Sequence, residues 1–325
     1  MTARALVAAR GALSHPLVEV PCCVCGASAG EVVASGQDYE YETTADVFQV
    51  KRCAGCGHHY VSPRPATEDL GTIYPADYYA YRFIENLSPL ARRTKAFLDG
   101  RKVRAWLKET PVRAPRFLDV GCGDGWFLRI LHDQGVPKDR LWGVEIGDAP
   151  IEQLRRDGFQ GRSGTIEAVD LPAGSFDLVV MLQVIEHVSD PEAVLKKLAR
   201  LLAPGGVLIL ETPNLRSADF HLFRRGYWGG YHFPRHWNLF TEDSLGRLLA
   251  RTGLRLTSTC YLPAPTFWVY SLHHLVKYEW GFRQAARFVD PLRNLPAVGA
   301  ATAFDLLRAK LGFRTSNMRA VIRRS

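Results

Sequence analysis

Apolar positions along this chain follow two rhythms. Short, nearly continuous apolar runs stand at 116–120 (RFLDV), 141–145 (LWGVE), 176–182 (FDLVVML) and 207–213 (VLILETP). Runs of that length, rich in Val, Leu and Ile and bounded by Gly, Pro or charge, predict strands buried on both faces. Between them apolar residues recur every three or four positions, which predicts amphipathic helices. One helix follows the glycines at 121–125 and runs through Leu131; APIEQLRRDG (149–158) ends on glycine. DPEAVLKKLARLLAPGG (190–206) has Asp190 as N-cap, Pro191 in the first turn and glycines at the stop. TEDSLGRLLARTG (241–253) is another capped helix, and LRLTSTCYL (254–262) a strand. Ahead of the first strand, 88–109 has helical spacing, with Leu90, Phe97, Val103, Trp106 and Leu107 as its expected buried face.

This alternation predicts an α/β fold: a Rossmann-like, doubly wound sheet covered by helices on both faces. Ligands of such sheets bind beyond the carboxyl ends of the strands. SNMRAVIRR (316–324) reads as a last strand, which makes about 263–315 a helical insertion before it.

The first 85 residues break the rhythm. PCCVCG and KRCAGCG place Cys22/Cys25 and Cys53/Cys56 as two Cys-x-x-Cys pairs, with strand-like EVVASG and DVFQVKRC between them. Two such pairs read as a closed tetrahedral thiolate site for a structural Zn2+, a small zinc ribbon. Disulfides are the alternative, disfavoured where thiols stay reduced. His58 and His59 directly follow the second pair and are substitute ligands. The expected division is therefore 1–85 for the ribbon and linker and 86–325 for the α/β domain. Tyr78, Tyr79 and Tyr81 of the linker are expected either to anchor it or to reach the ligand pocket.

Charge adds a detail. The net +8 is uneven: ten Lys/Arg stand against three Asp/Glu from Pro263 to Ser325. A basic, aromatic-rich end suits an anionic membrane surface or a phosphorylated acceptor, or else a solvated helical layer. No signal-like or membrane-spanning run is visible, so a cytoplasmic location is expected, with peripheral contact at the inner membrane face as its extension.

The chemistry centres on FLDVGCGDGW. Gly121, Gly123 and Gly125 allow a backbone to approach a ligand closely. A triphosphate loop would need Lys-Ser/Thr, where Trp126 and Phe127 stand; a dinucleotide loop would need glycine at Trp126. Glu145, at the end of the second strand, is placed to accept hydrogen bonds from two ribose hydroxyls. With LDVGCGDG, GVE, LPAGSFDLVVMLQVIEHVSDP and LLAPGGVLILETPN together, the sequence resembles the class I S-adenosylmethionine-dependent methyltransferases over about 114–261. The resemblance implies a seven-stranded sheet with the last strand antiparallel. It implies Asp119, Gly121, Gly123 and Gly125 around the methionine part, Glu145 on the ribose, Ile146 on adenine, Thr165 and Ile166 at the adenine edge, and Gln183 near the donor's amino-acid end.

Two stretches are candidates for the acceptor side. QVIEHV resembles the Glu-x-x-Glu-His pattern of ubiquinone-biosynthesis O-methyltransferases and small-RNA end methyltransferases, where a divalent metal binds. Glu186 and His187 match; Gln183 replaces the first carboxylate. RRGYWGGYHFPRHWNLFT (224–241) carries His232 and His236 among aromatics, similar to a histidine loop of zinc-ribbon sugar C-methyltransferases. His232, His236 and His187 are the candidate proton acceptors. The expected function is methyl transfer to a hydroxyl or activated carbon of a small molecule: a sugar, a lipid-linked compound or another secondary metabolite. Its rivals are an RNA methyltransferase docked through the ribbon, and a non-catalytic binding protein. The ribbon lacks the dense basic–aromatic stripe of nucleic-acid readers, which disfavours nucleic acid as partner.

Overall fold

The computed structural model describes residues 16–74, 88–291 and 294–325. Tyr78, Tyr79 and Tyr81 lie outside these residues. The N-terminal part carries β1 (Leu17–Val18), β2 (Gly30–Gly36), β3 (Phe48–Cys53), β4 (His59–Val61), β5 (Arg64–Pro65) and the short α1 (Leu70–Ile73). Then come α2 (Pro89–Leu107), β6 (Phe117–Val120), α3 (Trp126–Asp133), β7 (Leu141–Glu145), α4 (Asp148–Arg156), β8 (Gln160–Ser163), β9 (Phe176–Leu182), α5 (Pro191–Leu201) and β10 (Leu202–Pro213). The chain closes with α6 (Ala218–Phe223), β11 (Asn238–Leu239), α7 (Glu242–Ala250), β12 (Leu254–Leu262), α8 (Pro265–His274), α9 (Leu295–Lys310) and β13 (Asn317–Arg324).

The large sheet runs β12-β13-β10-β9-β6-β7-β8. Its central strands are parallel, and β13 is antiparallel to both β10 and β12. Successive side chains of a strand point to opposite faces, so each central strand feeds two cores. Leu118, Val120, Val179, Met181, Leu208 and Leu210 pack with residues of α5 and α7 on one face. Phe117, Leu178, Val180, Val207 and Ile209 pack with α2, α3 and α4 on the other. The caps fall where the sequence signals put them. Asp190 accepts from the Ala193 amide at 2.9 Å, and Thr241 and Ser244 form a reciprocal capping box; each such cap contributes about 1 kcal/mol.

Helix α2 differs from its expected face. Val103 and Trp106 are buried, but Leu90 and Phe97 are 76% and 63% exposed. The Asp99 carboxylate of α2 accepts from Trp126 Nε1 of α3 at 2.8 Å, and Arg92 and Lys95 stand over the same indole at 6.0 and 5.8 Å. Among the described residues, neither Leu90 nor Phe97 joins a buried apolar cluster.

The ribbon strands form a second sheet, β11-β4-β3-β2. Its edge strand β11 comes from the 224–241 loop and pairs with β4 through Asn238 and Tyr60. A core of Ala34, Phe48, Val50 and Val61 with Phe220, Trp228, Tyr231, Phe233 and Leu239 fuses the two parts.

Candidate active site

The cofactor side is local in sequence. Strand β6 ends at Val120, and the turn that follows returns the amides of Gly121 and Cys122 to the Val144 carbonyl, at 2.9 and 3.1 Å. All three loop glycines have left-handed backbone, φ +77°, +52° and +79°. They do different work. A Cβ on Gly121 would lie 2.5 Å from Val184, and one on Gly125 2.2 Å from Leu154, whereas one on Gly123 would meet nothing within 4 Å. Gly121 and Gly125 therefore serve the packing of the loop, and Gly123 is the open approach.

Glu145 links the end of β7 to this loop. One carboxylate oxygen accepts from the Gly123 amide at 2.9 Å, the other from the Ile146 amide at 2.8 Å. Both oxygens keep lone pairs for hydroxyl donors. Ile146 is 66% exposed beside it. Burial, with the Glu145 carboxylate nearby, pushes Asp119 up to about 7. Thr165 is exposed on the same rim, but Ile166 is buried in the core with Trp142 and Val169. Of the residues expected around adenine, Ile146 and Thr165 are exposed. Gln183 has φ +55°; its amide N–H donates to the Glu211 carbonyl at 2.8 Å, and its side chain to Asn317 at 3.1 Å.

The acceptor side is built from distant segments. The backbone amides of Trp237 and Asn238 donate to the Glu186 carbonyl at 2.7 and 3.0 Å, which locks the 224–241 loop onto QVIEHV. Three imidazoles converge there. The ring of His236 lies 4.5 Å from that of His187 and 5.0 Å from that of His232. His236 Nδ1 pairs with the Gly230 carbonyl at 2.8 Å, and His187 Nδ1 with the Tyr74 hydroxyl at 2.8 Å. His232 Nδ1 lies 2.7 Å from Glu40. Burial, reinforced by the other histidines, holds His187 down to about 3 and His236 well below the usual imidazole range. Both are neutral near pH 7.

Glu186, His187 and His236 bring possible ligand atoms within 4.8 Å of one another. One Glu186 oxygen accepts from Thr212 Oγ1 at 3.0 Å and the other has no hydrogen-bond partner. Burial pushes that carboxyl up to about 8. Magnesium and calcium prefer several oxygen ligands. With Gln183 directed to Asn317, one carboxyl and two imidazoles make a set poor in oxygen ligands for a hard cation.

The four ribbon cysteines also converge. Cys22 and Cys56 sulfurs lie 3.5 Å apart, Cys25 and Cys53 3.4 Å, and all four within 4.8 Å. Gly26 and Gly57 close the two knuckles with φ +76° and +74°. Four thiols on two such turns fit a tetrahedral metal. His58 turns away to Cys23, with Nε2 3.4 Å from its sulfur.

The family description "Methyltransferase domain" matches residues 77–259, more than half of the chain. The chain belongs to this methyltransferase family. The ubiquinone biosynthesis O-methyltransferase of Parvibaculum lavamentivorans is 33% identical over 206 residues, 59% of this chain and 79% of that protein. The enzyme of the same name from Pseudomonas aeruginosa is 32% identical over 127 residues, 36% of this chain and 53% of that protein. The chain spans about half the length of most of these relatives. Among solved structures, a putative sarcosine dimethylglycine methyltransferase from Galdieria sulphuraria superposes with TM-score 0.46 at 16% identity, over 74% of this chain and 90% of that one.

S-adenosylmethionine is therefore the methyl donor, and the open Gly123, the Glu145 carboxylate and exposed Ile146 suit its adenosine and methionine parts. Sequence reading missed three residues on the acceptor side: Asp38, Glu40 and Arg235. QDYEYETT (37–44), alternating acids and tyrosines between two ribbon strands, was the available signal. Among the described residues, Tyr74 reaches His187.

Proposed function

We propose that this methyltransferase alkylates a hydroxyl or an acidic carbon of a small molecule, with His232 taking the acceptor's proton. The observation that carries the reading is the trio of imidazoles beside QVIEHV, with His232 and His236 buried, His187 partly so, and His232 paired with a carboxylate. The bound donor supplies an electrophilic methyl on sulfonium. What the chain must add is alignment and a proton acceptor. Neutral His187 and His236 line the site as hydrogen-bonding groups. The curated relatives' name, ubiquinone biosynthesis O-methyltransferase, supports oxygen as the acceptor atom.

The four cysteines are read as a structural Zn2+ site. The insertion is read as a membrane-facing patch: Trp280, Phe282, Phe288, Leu311 and Phe313 are exposed there beside Arg283, Arg287 and Lys310. No helix among the described residues is long and apolar enough to cross a membrane, so contact would be at the surface. That leaves lipid-linked sugars and prenylated phenols as the preferred acceptors.

Calorimetric titration with S-adenosylmethionine and S-adenosylhomocysteine, with bound zinc quantified on the same sample, tests the cofactor and metal. A screen of nucleotide sugars, polyprenyl phosphates and phenols, reading labelled methyl transfer, tests the acceptor. Flotation with anionic vesicles tests the surface. Absence of cofactor binding by folded, zinc-replete protein would refute the enzymatic reading.

A further inference from the structure

The ribbon is more than a neighbour of the methyl-transfer site. Its β2–β3 segment 37–44 reaches the 224–241 loop through Asp38 and Glu40, and the insertion through Glu42. Asp38 and Arg235 form a bidentate pair at 3.0 and 2.9 Å, with both side chains fully buried. Asp38 also accepts from the amides of Tyr41 and Thr43 and from the Thr43 hydroxyl, at 3.1, 3.0 and 2.6 Å, which closes the loop on itself. Glu40 reaches His232 Nδ1 at 2.7 Å, with side chains 6% and 7% exposed. Glu42 accepts from the Tyr278 hydroxyl at 2.8 Å and pairs with Lys277, tying the loop to the insertion.

His232 has φ +41°, and the other non-glycine residues with positive φ among those described are Glu42 and Gln183. Left-handed backbone at a residue with a Cβ persists only where its surroundings hold it. Here the holders are identifiable: the Arg235 amide donates to the His232 carbonyl at 2.8 Å, and Arg235 is itself clamped by Asp38. The face of Tyr41 lies 4.5 Å from the Arg235 guanidinium, with its ring 6.2 Å from His232. His187, His236 and His274 also face this pair, all held neutral by burial.

We infer that Glu40 of the ribbon is the positioning residue of His232, so that the four-cysteine module completes the acceptor side of the methyl-transfer site. This rests on the reading of His232 as the proton acceptor. A carboxylate on Nδ1 fixes the tautomer: Nδ1 carries the hydrogen and Nε2 keeps its lone pair. In the transfer, Nε2 takes the acceptor's proton as the acceptor oxygen or carbon forms its bond to the methyl carbon. The sulfur–methyl bond breaks with its electron pair going to sulfur. The imidazolium that results lies against the Glu40 carboxylate, which stabilises it, as in other histidine–carboxylate pairs. A ribbon that only packs against the domain would not need a buried acid at this point.

The test needs no acceptor. In the full-length, zinc-replete, 15N-labelled protein, long-range proton–nitrogen spectra read each histidine tautomer, and His232→Gln assigns its signals by their loss. The expected result is an Nδ1–H tautomer with a strongly downfield ring N–H proton. Glu40→Gln should move that proton upfield, and Glu40→Leu should abolish it and populate the Nε2–H form, while zinc content and S-adenosylhomocysteine affinity stay within twofold. A wild-type Nε2–H tautomer would overturn the inference. So would an unchanged resonance in Glu40→Leu, or in Glu40→Gln if the leucine variant does not fold. Loss of cofactor binding in every protein, wild type included, would instead refute the methyltransferase reading and leave the tautomer result standing.

Discussion

The two halves of the active site are made by opposite means. The donor half is a strand end, one turn and the next strand end: the Gly123 amide donates to Glu145, and the Gly121 and Cys122 amides to the Val144 carbonyl. The acceptor half joins residues up to 197 positions apart through buried side-chain pairs, Asp38–Arg235 and Glu40–His232. A backbone-built site is stable to most surface change but intolerant of a misplaced Cβ. A side-chain-built site in a dry interior depends on each charge keeping its partner, because an uncompensated buried charge costs far more than the pair contributes.

That contrast fixes an order of effects. The largest is expected for Arg235→Ala, which strands the Asp38 carboxylate. It should cost about 3–5 kcal/mol, read as a lowered urea midpoint, and the double variant with Asp38→Asn should recover much of it. A cost below that of any donor-side change would break the comparison. Next is Gly125→Ala, whose Cβ would lie 2.2 Å from Leu154 on a left-handed backbone. Overpacking plus strain predicts about 2–4 kcal/mol. Gly123→Ala, with open space at that position, should unfold almost like wild type yet bind S-adenosylhomocysteine at least about tenfold more weakly, since each 1.4 kcal/mol is tenfold. If the two alanines behaved alike in both assays, the separate roles of these glycines would be wrong.

Glu145→Ala removes the acceptor of two loop amides and the carboxylate proposed to bind the ribose. Hydrogen bonds to a charged group predict a loss of about 1.5–3 kcal/mol in cofactor binding, measured by calorimetry. The last effect is a pH slope. Asp119 has a folded-state value of about 7, above the ordinary carboxylate range of about 4. Its neutral form is favoured in the fold, so the stability it contributes is full below about pH 4 and is lost as pH rises through about 7. The ligand-free melting temperature should therefore fall between pH 5 and 8, and Asp119→Asn should flatten that fall. An unchanged slope would mean that Asp119 is better solvated than its burial implies.

Legibility in the sequence followed the same divide. The strands at 117–120, 141–145 and 176–182, and the caps at Asp190 and Thr241, were readable because apolar period and capping chemistry act over a few residues. Helix α2 shows the limit of that reading. Its spacing marked Leu90 and Phe97 as buried, yet burial depends on an apolar partner surface, and among the described residues neither joins a core cluster. Ile166 shows the converse, an expected ligand contact turned into the core. Strand β11 was illegible: two residues, Asn238 and Leu239, become a strand because β4 offers them an edge.

By itself, then, the sequence determined the doubly wound α/β sheet, the glycine turn with its acid at the next strand end, and the two cysteine knuckles. Each is fixed by residue type at short spacing, where backbone geometry leaves few alternatives. Only the tertiary structure decided which glycine stays open and which carboxylate meets which histidine. It also decided that a loop of the cysteine module enters the acceptor side. Those pairings depend on how β4 accepts β11 and where the packing of two sheets excludes water. No local pattern specifies that, because it is the summed burial of both sheets that sets the distance between Glu40 and His232.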